Sequence, residues 1–355
     1  MASINMEEEG NKKEIVKPIV LHHSTQNIDL QEKWSQDGKF MSSLREIIFS
    51  IKRVFQDESS ERTRIYQVWP GKNVFFFHGR LVCGPDPRGL LLTTVSIILS
   101  SWIFSVYIGQ DLPNRSGLIV AISEILTLLV LGNLVLVSAI NPGIIMRNEQ
   151  DLTEDANTSY NFRVKKTRIT INGVELKLKY CRICKNFRPP RSCHCIVCDN
   201  CVEKFDHHCP WIGQCIALRN YRFYLTFVVS AFAFFIYVFS FTCSKIRQRM
   251  TKSETNLFGL FKNCPETLAL ALFSLAATLS LGGLAMFHVH LIATNQTAYE
   301  NFRQRFAGSK SPYDKGILGN IKEVLFKPMP PSRVDFRAEV ASGDHHPTAA
   351  NAHEV

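Results

Sequence analysis

Residues 181 to 215 read CRICKNFRPPRSCHCIVCDNCVEKFDHHCPWIGQC and hold eight of the chain's 11 cysteines together with three histidines. Thiols and imidazoles at this density are the donor set of zinc, which binds four of them tetrahedrally at about 2.3 Å from sulfur. Cys181-x-x-Cys184 and Cys195-x-x-Cys198 are two knuckle pairs, each spaced so that both thiolates meet one ion. The candidate donors are Cys181, Cys184, Cys193, His194, Cys195, Cys198, Cys201, His207, His208, Cys209 and Cys215. Two tetrahedral sites use eight of these, so three are left over. Each knuckle needs partners from farther along the chain, and spacing leaves their identity open.

An extended backbone over residues 206 to 209 would alternate its side chains, placing His207 and Cys209 on one face and His208 on the other. His208 then faces a metal while His207 lies within reach of the Cys209 sulfur. An adjacent imidazole raises the reactive thiolate fraction of a cysteine, and Asp206 would orient and stabilise that imidazole. The competing reading makes Cys209 one more structural thiol and His207 a spare ligand.

Working outward, four apolar runs flank this stretch. Gly89 to Gly109 and Phe223 to Cys243 carry no charge, Gly117 to Ile140 only Glu124, and Thr267 to Ala293 only His288 and His290 as exceptions. About 20 apolar residues cross a hydrocarbon core roughly 30 Å thick. The expected fold class is therefore an α-helical integral membrane protein with four transmembrane helices. The first residues, MASINMEEEG, are acidic and polar, so the first span is expected to act as the anchor. With four spans, both termini and the loop from Asn141 to Arg222 share one side. The basic residues of that loop, Arg147 and Lys165 among them, put that side in the cytosol. Lys245, Arg247, Arg249, Lys252 and Lys262 on the other side run against this reading. The cysteines support it, since a reducing compartment favours metal over disulfides. The net charge of +10 is expected to face a membrane surface and not nucleic acid.

Around the spans, residues 1 to about 40 are polar and without sustained periodicity, the composition of a disordered segment. Met41, Leu44, Ile48, Ile51 and Phe55 follow at helical spacing. Residues 64 to 89 and the run around Asn172-Gly173 each carry hairpin signals. Asn141-Pro142-Gly143 reads as a helix stop. NQTAYENFRQRF, from residue 295, is helix-compatible, and SPYDKGILGNIKEVLF predicts a turn and a short amphipathic helix.

The pattern Cys181-x2-Cys184-x9-His194-Cys195-x2-Cys198-x2-Cys201-x4-Asp206-His207-His208-Cys209-x5-Cys215-x4-Asn220 closely resembles the DHHC cysteine-rich domain of protein S-acyltransferases, or palmitoyltransferases. The resemblance covers roughly residues 62 to 336, and RIYQVWPG and NYRFY are similar to its plant branch. It implies a cytosolic two-zinc domain between spans 2 and 3. One zinc would be held by Cys181, Cys184, His194 and Cys201, the other by Cys195, Cys198, His208 and Cys215. It implies Cys209 as the nucleophile toward a fatty acyl-CoA such as palmitoyl-CoA, His207 as general base and Asp206 as its orienting partner. Cys193, His207 and Cys209 are then the three donors left over. The acyl chain would lie among the spans in the lipid bilayer, with Trp211 near the mouth of its cavity and Phe234 near the closed end. Arg188, Arg191 and Arg222 are candidates for the CoA phosphates, with a generic basic membrane surface as the competing reading. Membrane-associated proteins would be the acceptors, at the endomembranes (Golgi or ER) or the plasma membrane. Thr297 and Asn320 would give structural support.

Several positions depart from the family pattern. Thr297-Ala298-Tyr299-Glu300 replaces Thr-Thr-x-Glu, losing a hydroxyl expected near Asp206. Tyr224 stands for the usual Phe, Ser192-Cys193 reverses the commoner order, Ser311 replaces an Asn, and Asn141 replaces an Asp. The expected organisation is a disordered and amphipathic N-terminus (1–61), a pre-membrane segment (62–88), spans 1 and 2 (89–143), the zinc domain (144–222), spans 3 and 4 with a non-cytosolic loop (223–293), a C-terminal family segment (294–336) and a disordered tail (337–355). Two further readings compete with an active enzyme: a membrane-anchored RING-like or scaffold module, and a family member whose turnover is weakened by Ala298.

Overall fold

The four apolar runs fold as four long helices in a computed structural model that describes residues 63–108, 116–148, 168–253 and 257–340. The expectations for residues 1–62, for the linker 149–167 and for the tail from 341 lie outside the described residues. Helix α1, Arg88–Ile103, continues as a π-helical turn through Phe104–Ile108. Helix α2 is Ser116–Ala139, α3 is Tyr221–Ser253, and α5 is Pro265–Ala293, preceded by the short α4, Leu257–Asn263. All four long helices are long and apolar enough to cross a membrane. The first, at 21 residues, spans about 31 Å at about 1.5 Å per residue. Helix α3 outruns its apolar segment because residues 244–253 are polar yet contain neither Gly nor Pro to stop it.

Helix α3 packs between α2 and α5. Ile97, Phe104, Val130, Leu134, Phe227 and Phe234 fill the space among the helices, while Leu128 and Leu279 are 70% and 67% exposed on the outside. That arrangement is what a hydrocarbon solvent demands: apolar inside and apolar outside. Glu124, the one charge in its run, accepts hydrogen bonds from Ser105 Oγ at 2.6 Å and Ser101 Oγ at 3.3 Å on α1. Thr127 adds a bond of 2.8 Å to Ser101. An ionisable group at membrane depth is costly unless partnered, and here the partners join spans 1 and 2.

Between α2 and α3 lies a domain of very short strands. The chain leaves α2 through Asn141, whose Oδ1 accepts from the amides of Gly143 and Ile144, each at 3.0 Å. Asn141 thus closes the turn with its own side chain, which makes this more than a helix stop. Both expected hairpins form: β1 (Val74–Phe76) with β2 (Leu81–Cys83), and β4 (Arg168–Ile171) with β5 (Val174–Lys177). Asn172 and Gly173 between the latter have φ of 47° and 80°, the left-handed pair of a type I′ turn. Strand β3 (Ile144–Ile145) pairs with β9 (Asn200–Val202), which pairs with β8 (Cys193–Cys195). Strands β6 (Tyr180–Cys181) and β7 (Asn186–Phe187) form one knuckle, and β10 (His207–Cys209) pairs with β11 (Gln214–Ile216). Ladders of two to four residues hold little by themselves.

The β10–β11 hairpin is seated on the membrane helices. Ile212, Ile216 and Cys209 belong to the same apolar cluster as Phe104 and Phe234. Its turn meets the segment entering α1 backbone to backbone: a Cβ on Gly84 would lie 1.8 Å from Gly213 O, and one on Gly89 1.9 Å from Pro210 O. Asn220, fully buried, accepts from Ala217 N at 2.9 Å and donates to Cys215 O at 2.8 Å and Val137 O at 3.2 Å, tying the hairpin exit to the end of α2. After α5 come α6, only Ala298–Phe302, and α7, Ile317–Phe326. Because no side chain fits at Gly89, Gly89→Ala should lower the thermal midpoint of the solubilised protein, overpacking costing about 1–3 kcal/mol. Gly117→Ala, with open space around it, should not; equal midpoints for both variants would contradict this packing.

Candidate functional site

Two Cys/His groups assemble in the domain. Cys181, Cys184, His194 and Cys201 form one, and Cys195, Cys198, His208 and Cys215 the other, with all donor atoms of each group within 4.8 Å of one another. A tetrahedral zinc with sulfur at about 2.3 Å and nitrogen at about 2.0 Å sets its donors roughly 3.5–3.8 Å apart. His194 Nδ1 lies 3.7, 3.3 and 3.9 Å from the sulfurs of Cys181, Cys184 and Cys201. His208 Nδ1 lies 3.7, 3.4 and 3.6 Å from those of Cys195, Cys198 and Cys215. The donor sets fit the ion, each with three thiols and one imidazole. Crowding already draws Cys184 and Cys195 below the ordinary thiol range, chiefly through hydrogen bonds from Cys201 and Cys198. On the far side of its ring His194 Nε2 faces Asp199 at 3.4 Å, the kind of carboxylate that orients a ligating histidine.

Strand β10 explains how adjacent histidines part company. His208 stands directly opposite Cys215 across the hairpin, and both reach the second cluster. The alternation then turns His207 and Cys209 away from it. His207 Nδ1 hydrogen-bonds Asp206 Oδ2 at 2.8 Å, and the Cys209 thiol is a second partner of the imidazole. Burial disfavours the charged ring, but the hydrogen bonds it donates to Asp206 and Cys209 outweigh this and raise His207 to about 9. Cys209 is buried in the apolar cluster of the spans, and Asp206 is 2% exposed. Cys193 enters neither metal group and packs among Val202, Phe205 and Tyr299.

Asp206 is held by α6. Its Oδ1 accepts from Ala298 N at 2.8 Å, and its carbonyl accepts from Tyr299 N at 3.1 Å. Position 298 thus meets Asp206 through its backbone amide, a bond independent of the side chain there. Thr297 and Glu300 form a capping box on α6. Arg191 donates to Glu300 Oε2 at 2.7 Å and to Asn295 Oδ1 at 2.8 Å, with its guanidinium 4.3 Å from the Tyr313 ring centre. Asn320, fully buried, donates to Ala293 O at 3.0 Å and accepts from Asn295 and Lys315, capping the end of α5. Ser311 donates to Asn295 O at 3.0 Å in the same cluster.

Sequence reading misjudged Arg191. It is buried with its donors spent on Glu300 and Asn295, so it is not available to a CoA phosphate. Arg222 donates to the Lys327 carbonyl and borders a cavity of about 340 Å³ shared with Arg219, Lys327, Tyr221 and Leu291. Arg188 borders a smaller cleft with Lys177, Lys179 and Arg305. Phe234 is fully buried in the cluster that contains Cys209, and Trp211 is 59% exposed at the hairpin turn. Sequence reading noted His288 only as an exception in an apolar run. It proves to be 2% exposed and close to His207, its ring centre 6.4 Å away. The signal was present, since an ionisable residue within a span is a functional candidate by default.

A family profile described as DHHC palmitoyltransferase matches residues 174–305. Probable protein S-acyltransferase 7 of Arabidopsis thaliana is 42% identical over 292 residues, covering 78% of this chain and 66% of that protein. Probable protein S-acyltransferase 6 is 40% identical over 78% of this chain and 71% of its own length. Protein S-acyltransferase 8 is 40% identical over 78% and 72%. Both are also from Arabidopsis thaliana, in keeping with the plant-branch resemblance.

The geometry separates the two histidines experimentally. His208→Ala should lower bound metal below two ions per chain and unfold the loop, a structural zinc contributing on the order of 10 kcal/mol in model peptides. His207→Ala should keep two. Metal analysis of the purified variants checks this, and a zinc lost on His207→Ala would make His207 a ligand.

Proposed function

Because this chain belongs to the DHHC palmitoyltransferase family, we propose that it transfers long-chain acyl groups from acyl-CoA to protein cysteines through a thioester on Cys209. The observation that carries this is the Asp206–His207 bond of 2.8 Å beside a non-ligating thiol, on the strand face turned away from the metal cluster. An imidazole raised to about 9 is basic enough to take the proton of an ordinary thiol, with pKa about 8.5. Cys209 Sγ attacks the thioester carbonyl carbon, the bond to the CoA sulfur breaks, and the departing thiolate takes the proton from His207. In the second half-reaction the acceptor cysteine attacks the Cys209 thioester and Cys209 leaves as thiolate, with His207 again carrying the proton. Asp206 keeps the imidazole oriented and stabilises its protonated form.

Two zinc ions would be held by the two Cys3His groups, where zinc supplies folding energy to a domain whose strands are too short to hold themselves. With Cys209 packed among the span residues, the acyl chain would extend from the sulfur toward Phe234, with Trp211 at the bilayer side of the hairpin. The CoA phosphates would meet Arg188 with Lys177, Lys179 and Arg305. The basic loop from Asn141 to Arg222 supports a cytosolic zinc domain and cytosolic termini, with spans 1–2 and 3–4 on either side. Acceptors would then be proteins at the cytosolic face of an endomembrane or the plasma membrane.

An interaction module alone has no use for a carboxylate-bound imidazole beside a free thiol. A clickable fatty acyl-CoA should label the wild-type protein in a hydroxylamine-sensitive manner and leave Cys209→Ser unlabelled. Persistent label on Cys209→Ser would refute the assignment. His207→Ala should slow labelling by about 10²–10⁴-fold, the usual worth of a general base.

A further inference from the structure

His288 lies in the last two turns of α5, and filling its space does not require an imidazole. A leucine would do so without desolvating a polar ring. The imidazole is 2% exposed, and its Nδ1 shares a hydrogen bond of 2.9 Å with the Tyr221 hydroxyl. Helix α5 is thereby joined to the first residue of α3. The Tyr224 ring packs edge-on against both histidines, 5.0 Å from His288 at 70° and 5.3 Å from His207 at 72°, and the two imidazole centres are 6.4 Å apart, so the three rings form a triangle. Both edge-on contacts are favourable aromatic geometries. Tyr224 is 2% exposed and belongs to the apolar cluster of the spans.

The His207 ring is fixed at one edge by Asp206. A hydrogen bond tolerates about 30° of misalignment before it weakens, so a packed wall beside the ring narrows its orientation further. Tyr224 is that wall, and His288, pinned by Tyr221, holds Tyr224 in place. We propose that His288 is a positioning residue for acyl transfer: bonded to Tyr221, it holds Tyr224 against His207 and so sets the orientation of the base toward Cys209. The zinc clusters place the backbone of His207 from the domain side, and the Tyr221–His288 pair places its ring from the membrane side. The alignment of the base then depends on α3 and α5 being correctly packed.

This inference rests on the acyl-enzyme reading of Cys209. If wild type forms no hydroxylamine-sensitive adduct at Cys209, that reading fails before His288 is at issue. With the full-length protein in detergent, single-turnover acylation of Cys209 is followed against acyl-CoA concentration. His288→Phe should lower the maximal rate about tenfold, a modest misplacement being enough, while the half-saturating acyl-CoA concentration stays within about twofold and metal remains at two per chain. Tyr221→Phe, which removes one oxygen, should lower it by about three- to fivefold. His288→Asn, whose amide can meet the Tyr221 hydroxyl from the Nδ1 position, should recover the rate to within about threefold of wild type. The double variant Tyr221→Phe/His288→Phe should be no slower than His288→Phe alone, because both remove one interaction. Wild-type rates in His288→Phe, or a defect in His288→Asn as deep as in His288→Phe, would overturn the proposal. A change confined to the half-saturating concentration would do the same. Should His288→Phe fail to fold, Tyr221→Phe decides alone, and an unchanged rate there would overturn it.

Discussion

In the β10–β11 hairpin His208 stands opposite Cys215, and both close on the sulfurs of Cys195 and Cys198. This pairing fixes which way the strand faces. A strand's side chains alternate with a period of two, so seating His208 on the metal side forces His207 and Cys209 to the other. A slip of one residue would place the thiol on the metal and leave an imidazole in the apolar cluster. The Cys3His group therefore bears on Cys209 from the neighbouring residue, by setting the register of the strand that carries both.

A register alone does not make a working site, and the remaining constraints come from the membrane bundle. Gly84 and Gly89 let the segment entering α1 approach the hairpin turn backbone to backbone, and Asn220 ties the hairpin exit to α2. On the other side α6, which follows α5, supplies the amides that hold Asp206, and the Arg191–Glu300 pair holds α6 in turn. A buried ion pair of this kind is a poor source of net stability. Its partners lie 109 residues apart in sequence, so its effect is to lock the zinc domain to the segment that steadies Asp206. Tyr224 and His288, from α3 and α5, pack beside the His207 ring as well.

Much of this was legible beforehand. The spans follow from hydropathy, the two hairpins from Asn172-Gly173 and the punctuated run before α1, and the division of labour between His207 and His208 from alternation along one strand. Counting donors showed that three of eleven must be surplus. Arg191 looks in sequence like any other basic residue of the loop before span 3, because the acid that consumes it lies after the last span.

The sequence by itself determined the elements and the chemistry available to them: four apolar helices, a pool of thiol and imidazole donors, and an acid, a base and a thiol within four consecutive residues. Those properties depend on composition and on short-range periodicity, which a linear chain displays in full. Only the tertiary structure decided which donors gather into each Cys3His group, which arginine is occupied, and that the bonded His288 and Tyr221 lie beside Tyr224 and His207. The first joins residues up to 20 apart in sequence, and the others join groups tens of residues or more apart. Such contacts are selected by packing and by the need to satisfy buried polar groups, and neither leaves a period in the sequence.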